Sequence, residues 1–176
     1  TQAPVAEPTS QPAAVEPTQP AATAETASQP AASTLTYKIV PGESTLQYEV
    51  GETFIDQNNR FAVAVGVTPQ VSGEITVDAG NPQNSTVGAI TADVSQFTSD
   101  SGRRDNAIRG RFLESSRYPM VTFTPTGIEG LPSAYQEGQE LTFTITGDLT
   151  IRETTRPASF EVTAQLQGGA LTGQAV

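Results

Sequence analysis

Alternation of apolar and polar residues with a period of two is the feature that most constrains this chain. In residues 141–146, Leu, Phe and Ile alternate with three Thr, and residues 46–50 alternate in the same way. Such a pattern is typical of half-buried β-strands, whose successive side chains point to opposite faces. Turn signals rich in Gly, Pro and Asn separate the segments that carry it. The predicted strands are 37–40, 46–50, 60–67, 71–78, 86–94, 120–128, 140–151 and 158–166.

One segment breaks this period. Ile108 and Phe112 are spaced four apart and Asp105 precedes them, which predicts a short helix within residues 103–113. About eight antiparallel strands and one helix predict an all-β fold, either a sandwich or a closed barrel. The barrel is favoured because four glycines within strand patterns could supply its bends or bulges: Gly66, Gly73, Gly88 and Gly147.

The first 34 residues have a different composition from the rest. They hold six of the 13 prolines and ten alanines, with no Lys, Arg or aromatic residue. This composition predicts a disordered, extended spacer over residues 1–34, followed by one β domain over 35–176. Because the chain opens on Thr1 rather than Met, we expect a signal or anchor upstream. An Ala/Pro/Thr-rich spacer resembles the stalk of a bacterial lipoprotein, so the hypothesis is an extracytoplasmic protein (periplasmic, secreted or on the cell surface) with an upstream lipid anchor.

Composition excludes several function classes. The chain has no Cys, His or Trp, so it has no disulfide, thiolate metal site or imidazole base. Its net charge of −10 disfavours nucleic acid or an anionic lipid surface as the main partner. No apolar run approaches the ~18 residues of a membrane-spanning helix. Nothing fixes the separation of the acidic residues in 43–56 that glycoside hydrolysis would require, so we predict no catalytic residue and no cofactor. The acidic loops at 78–84 and 100–105 lack the spacing of a calcium loop, so we predict no metal.

Fourteen apolar residues are predicted to point into the barrel. A barrel of about eight strands is either filled by its own side chains or holds one slender ligand, so these residues form a packed core or line a ligand site. The small residues Ala62 and Ala64 leave room if they also point inward, but a shift of one residue in register reverses every side chain. The predicted residues are Leu46, Tyr48, Val50, Phe61, Val63, Val65, Ile75, Val77, Ile90, Phe123, Phe143, Ile145, Phe160 and Val162.

Several motifs occur in a characteristic order. Phe-Thr-Ser-Asp at 97–100 precedes an Arg-Asp pair at 104–105, and Tyr-Pro at 118–119 precedes a strand carrying Phe. Gly-Asp-Leu-Thr-Ile-Arg at 147–152 then leads to Thr-Arg-Pro at 155–157, and Tyr-x-Ile followed by Ser44 opens the domain. Together these motifs resemble the YceI-like family over nearly all of residues 35–173.

The resemblance implies a lipocalin-like antiparallel barrel that binds a polyisoprenoid, an isoprenoid quinone or a related lipid without catalysis. Two features depart from the family pattern. No His lies near Ser44, and the chain stops at Val176, where the family continues into another strand, so we expect the closing strand to be missing. Family members often pair, which leaves a homodimer open. The alternative function is a structural or protein-interaction β domain with a packed interior, displayed on the stalk.

Five of the nine basic residues lie within 103–117. They form either a rim of guanidinium groups at the mouth of the pocket, which meets a headgroup, phosphate or anionic membrane, or a solvated helix with a structural turn. The resemblance favours a structural role for the Arg-Asp pair. The residues predicted for this rim or turn are Arg104, Asp105, Arg109, Phe112 and Tyr118.

Overall fold

The computed structural model describes residues 34–176, which form eleven strands with antiparallel pairing. Except for Thr34, the predicted spacer lies outside the described residues. The strands are β1 (Thr34–Lys38), β2 (Leu46–Phe54), β3 (Arg60–Thr68), β4 (Val71–Ser72), β5 (Glu74–Asp78), β6 (Thr86–Val87), β7 (Ile90–Asp93), β8 (Met120–Glu129), β9 (Glu140–Ile151), β10 (Thr154–Gln167) and β11 (Ala170–Ala175).

Three sheets organise these strands. The largest has six strands in the order β11-β10-β9-β8-β7-β4 and curls into a half-barrel. A three-stranded sheet has the order β1-β5-β6, and β2 and β3 form a hairpin. The predicted fold class, an all-β antiparallel domain with one short helix, is confirmed.

The helix lies between β7 and β8. Helix α1 (Gly102–Asn106) begins where the Ser101 side chain accepts a hydrogen bond from the Arg104 amide at 3.4 Å. It continues as a wider π-helical turn over Ala107–Phe112. Three 3₁₀ turns also occur, at Ile55–Gln57, Pro82–Asn84 and Val94–Gln96. Within residues 34–176, no helix has the length and apolar character needed to cross a membrane.

Glycine divides two of the predicted strands. The segment predicted at 71–78 separates at Gly73 into β4 and β5, and the one predicted at 86–94 separates beside Gly88 into β6 and β7. In each case one part joins the six-stranded sheet and the other joins the smaller sheet. Strands that pass between packed sheets need such a bend, so the prediction that these two glycines bend the chain matches the structure.

Gly66 and Gly147 differ, since both lie within continuous strands. A Cβ atom on Gly147 would lie 2.5 Å from the Thr124 carbonyl oxygen and 2.7 Å from the Phe123 ring. A Cβ on Gly66 would collide with the ring of Tyr48. The predicted bend or bulge is wrong at Gly66, whereas Gly147 lies opposite the bulge in β8 between Pro125 and Gly127. At both positions glycine also leaves room for a ring to lie against the strand.

The core lies on the concave face of the six-stranded sheet. Phe123, Ile145 and Val162 are buried on β8, β9 and β10, and Val87 of the smaller sheet packs against them. At the other end of the sheet, β11 pairs with β10 and has no second strand neighbour among residues 34–176. The missing closing strand remains a prediction.

Candidate functional site

Five of the fourteen predicted inward residues meet at the centre of the curled sheet. Phe143 and Phe160 pack against the buried Phe123, Ile145 and Val162. The rings of Phe123 and Phe160 meet edge to face with centroids 5.0 Å apart, an arrangement that aromatic pairs favour. This part of the predicted set forms a packed core.

Three more predicted residues border the same core. Ile75 lies opposite Val87, and Ile90 lies opposite Phe123. Directly opposed residues of antiparallel strands share a face, and so does Val77, two residues beyond Ile75. All three predicted residues are half-buried. The structure therefore gathers eight of the fourteen around one interior.

The remaining six lie on the β2–β3 hairpin and do not share a face. Val50 pairs with Ala64, and Gly51 pairs with Val63. Leu46, Tyr48 and Val50 thus point to the same side as Ala64, which is 5% exposed. The β3 residues point to the other side, so their predicted inward orientation is wrong: Phe61, Val63 and Val65.

Contacts beneath the hairpin explain this register. Tyr48 meets the buried Phe97 edge to face with centroids 5.1 Å apart. The backbones of Val67 and Thr98 exchange hydrogen bonds of 2.9 and 3.0 Å, and the Thr68 hydroxyl donates to the Asp93 carbonyl at 2.8 Å. Burial, followed by the nearby Asp105 carboxylate, raises the pKa of the Tyr48 hydroxyl. Small residues of β3 suit this close approach, so its large side chains face outward.

The outward side of β3 carries an exposed apolar row. Phe61, Val63, Val65 and Val67 are 66, 55, 41 and 36% exposed. At ~3.3 Å per residue these four side chains, here called the β3 row, extend over roughly 20 Å. Apart from the Val67–Thr98 bridge, the second edge of β3 has no strand partner in the described part of the chain. Single exposed apolar residues are normal on protein surfaces, but a contiguous exposed apolar row indicates a site that binds a ligand, a membrane or another protein.

Two pockets among the described residues are open to solvent. One, of about 310 Å³, lies on β8, β9 and β10 around Pro157, and the other, of about 340 Å³, lies beside Arg109 and Ser115. None of the fourteen predicted ligand residues lines either pocket.

Arg104 joins helix α1 to β2. Its Nε and Nη2 atoms each donate to an oxygen of the Glu52 carboxylate at 2.8 Å, and Nη1 donates to Ser99 at 3.2 Å and pairs with Asp100. The buried Asp105 accepts a hydrogen bond of 2.6 Å from the Ser99 hydroxyl. The hydrogen bonds from Arg104 hold the pKa of Glu52 below its usual value. These contacts favour the structural-turn interpretation of Arg104 and Asp105.

The other predicted rim residues differ in exposure. Arg109 is half-buried and donates from Nε to the Asp105 carbonyl at 3.3 Å. The half-buried Tyr118 ring lies under Arg117 and Arg152, whose guanidinium carbons are 4.9 and 5.8 Å from its centroid. Phe112 is 59% exposed. Phe112 is thus the ring that faces solvent.

Sequence reasoning missed two residues of this region. Val67 completes the β3 row, and the alternation of β3 already carried that signal. Phe97, the partner of Tyr48, follows the Val94–Gln96 turn and has no strand alternation around it, so the motif at 97–100 included it without indicating that it packs under the hairpin. Among residues 34–176, no three acidic side chains come close enough together to hold a metal ion.

A curled antiparallel sheet with a concave packed core and a single short helix defines a lipocalin-like β domain. The model of the YceI-like domain matches residues 37–176, and the chain belongs to this family, as its motifs predicted. Protein YceI of Escherichia coli O157:H7 is 32% identical over 113 residues, which are 64% of this chain and 54% of that protein. The chain thus spans about half the length of this curated relative.

Two solved structures share the fold. BcnA of Burkholderia cenocepacia superposes with a TM-score of 0.57 at 20% identity, covering 74% of each chain. A polyisoprenoid binding domain from Saccharophagus degradans, implicated in plant cell wall breakdown, superposes with a TM-score of 0.52 at 12% identity, covering 74% of this chain and 69% of that one. At these identities the likeness concerns the fold alone.

Proposed function

We propose that this chain binds a long, slender apolar molecule, a polyisoprenoid, isoprenoid quinone or related lipid, and that it does so without catalysis. The β3 row is the observation that carries the proposal, because it presents four aligned apolar side chains to solvent. Membership of the YceI-like family supports it. The fold shared with the polyisoprenoid binding domain of Saccharophagus degradans is consistent with it.

An apolar row is sufficient to bind such a ligand. Burying about ten methylenes at ~0.8 kcal/mol each contributes on the order of 8 kcal/mol, near micromolar affinity before ordering costs. No charged contact is needed for that affinity. Selectivity between chain lengths is then weak, since one methylene changes binding by only about 1 to 3 kcal/mol.

The proposed contact surface is the face of the hairpin that carries the β3 row, to which Phe61, Val63 and Val65 belong. Leu46 and Val50, 37 and 40% exposed, lie on the opposite face and are not part of it. The predicted residues on β8, β9 and β10 are already in contact with one another, so they belong to the packed core and not to the proposed contact surface. Tyr48 anchors the hairpin to Phe97.

Native mass spectrometry with organic extraction tests this proposal. The full chain, expressed in a bacterial host, is expected to carry an isoprenoid-type lipid at about one per chain or to take up an added polyprenol. Val63→Asp is expected to reduce retention at least tenfold, because it places a charge in the middle of the apolar contact. Val40→Asp is the matched control: Val40 is 48% exposed but lies outside the hairpin. Circular dichroism checks that both variants fold.

Each outcome separates two interpretations. Equal retention by folded Val63→Asp and Val40→Asp proteins would move the ligand site away from the β3 row. A clean apo mass after incubation with polyprenol would overturn lipid binding altogether. That result would favour the second candidate, a protein-interaction β domain, which the packed core around Phe123 also supports.

We also propose an extracytoplasmic location, with residues 1–34 as the spacer and 35–176 as the binding domain. The Pro- and Ala-rich composition of the spacer supports this arrangement, and the matched relatives are bacterial. A lipid anchor upstream and a homodimer remain proposals of the same kind.

A further inference from the structure

The basic residues of this acidic chain are concentrated in one region. Six of the nine Lys and Arg residues lie on or beside α1 and the π-helical turn, and only Lys38, Arg60 and Arg156 lie elsewhere. The chain as a whole has a net charge of −10. The six are Arg103, Arg104, Arg109, Arg111, Arg117 and Arg152.

Carboxylates of the same region are already paired. Asp100 and Glu52 bind Arg104, Glu114 binds Arg152, and Glu153 lies 3.8 Å from Arg117. Asp105 is buried beneath the Ser99 hydroxyl. Of the six arginines of this region, three have no carboxylate partner within residues 34–176: Arg103, Arg109 and Arg111. The six arginines exceed the five carboxylates of this region, Glu52, Asp100, Asp105, Glu114 and Glu153, by one, so the region is net positive in an acidic chain.

Phe112 ends this segment with an exposed ring. The guanidinium carbon of Arg111 lies 6.0 Å from the ring centroid, and Arg152 Nη1 donates to the Phe112 carbonyl at 3.3 Å. An aromatic ring flanked by arginines suits the boundary between lipid headgroups and acyl chains, where the ring is buried and the guanidinium groups meet phosphates.

We propose that the exposed side of this helical segment, which carries Arg103, Arg111 and Phe112, docks the domain on a bilayer that contains anionic phospholipid. A net charge of −10 would disfavour an anionic bilayer if the charges were spread evenly over the surface. Here the basic residues are concentrated in one region, so that region can still meet the bilayer. The anionic bilayer repels the acidic rest of the domain, and this repulsion orients the arginines toward the bilayer surface. Docking does not rest on the lipid-binding proposal, since it needs no cargo in the hairpin.

Vesicle co-sedimentation of the full chain tests the docking. Binding is expected to vesicles of phosphatidylcholine mixed with phosphatidylglycerol, to be far weaker on phosphatidylcholine alone, and to fall between about 0.05 and about 0.5 M salt. R103E/R111E is expected to lower the partition coefficient at least tenfold, whereas R103K/R111K keeps it within about threefold. F112S is expected to lower it about fivefold or more.

Matched controls make the test selective. K38E/R60E changes the net charge by the same amount as R103E/R111E but lies on β1 and β3, and I55S removes a side chain that is 82% exposed. Both controls are expected to bind within about twofold of the parent protein. Equal losses in K38E/R60E and R103E/R111E, or no preference for phosphatidylglycerol, would overturn the proposal. Native mass spectra of the same variants report the hairpin cargo separately, so a failure of docking is distinguishable from a failure of lipid binding.

Discussion

Arg104 connects parts of the chain that are distant in sequence. It places a bidentate ion pair on Glu52, 52 residues earlier, and so holds α1 against the hairpin. Its own side chain is 15% exposed, and that of Glu52 is 30% exposed. Hydrogen bonds to Glu52 and Asp100 raise the pKa of Arg104, which stays charged at every relevant pH.

The pair predicts a pH dependence of stability. Because Arg104 lowers the pKa of Glu52 in the folded state, the pair stabilises the protein above the ordinary Glu pKa of about 4.3. That stabilisation is lost as pH falls through the lowered folded pKa. Glu52→Gln is therefore expected to reduce Tm by a few degrees near about pH 7 and by almost nothing near about pH 3.

Thermal unfolding followed by circular dichroism at several pH values measures this difference. Glu49→Gln is the control, since Glu49 is exposed on the opposite face of β2 from Glu52 and does not contact Arg104. A Tm difference for Glu52→Gln that stays constant with pH would contradict the assigned ion pair.

Among the strands, β9 depends on one glycine for its packing. Gly147 lies opposite Pro125 just before the bulge in β8, and the Phe123 ring covers its Cα. A side chain here would displace both the ring and the neighbouring backbone. Lack of space, and not backbone conformation, therefore excludes a side chain at position 147, since Gly147 does not have a positive φ angle.

Gly147→Ala is expected to lower the free energy of unfolding by about 1 to 3 kcal/mol, because the added methyl has no room. Gly110→Ala is the matched control: its Cβ would meet nothing within 4 Å, and alanine is expected to raise stability by about 0.5 to 1 kcal/mol in a helical turn. Urea denaturation compares the two. Equal destabilisation by both substitutions would contradict the packing argument.

In the whole molecule, the three sheets differ in how many strand partners and tertiary contacts hold them in place. β9 is paired on both sides within the six-stranded sheet, whereas within residues 34–176 β3 pairs along its length only with β2. The hairpin is attached to the rest of the domain through a few contacts, chiefly Val67–Thr98, Tyr48–Phe97 and Glu52–Arg104.

Hydrogen exchange is expected to reflect this inequality. Amides in β9 should exchange at least about tenfold more slowly than those of β3, since the hairpin can open while the core stays closed. Exchange followed by mass spectrometry of peptides measures it, and added polyprenol should slow exchange in β3 if the β3 row binds it. Equal protection of both strands would show that the hairpin opens only when the whole domain unfolds.

Much of the architecture follows from local pattern. Alternation located the strands, since the pleat places every second side chain on one face whatever lies beyond it. It also identified the core residues of β8, β9 and β10, where large apolar side chains recur on a single face: Phe123, Phe143, Ile145, Phe160 and Val162. Family motifs then indicated the class of fold.

The sequence alone therefore determined most of the strands, which residues of each strand share a face, and the family; it did not predict β11 (Ala170–Ala175). Only the tertiary structure decided which face of β3 is covered, because that choice depends on Phe97 and Thr98, some thirty residues away. It also decided that Gly73 and Gly88 divide strands between sheets while Gly66 and Gly147 admit a ring. The physical reason is the same in both cases: a strand specifies its own two faces, but the partner that fits against one of them comes from elsewhere in the chain.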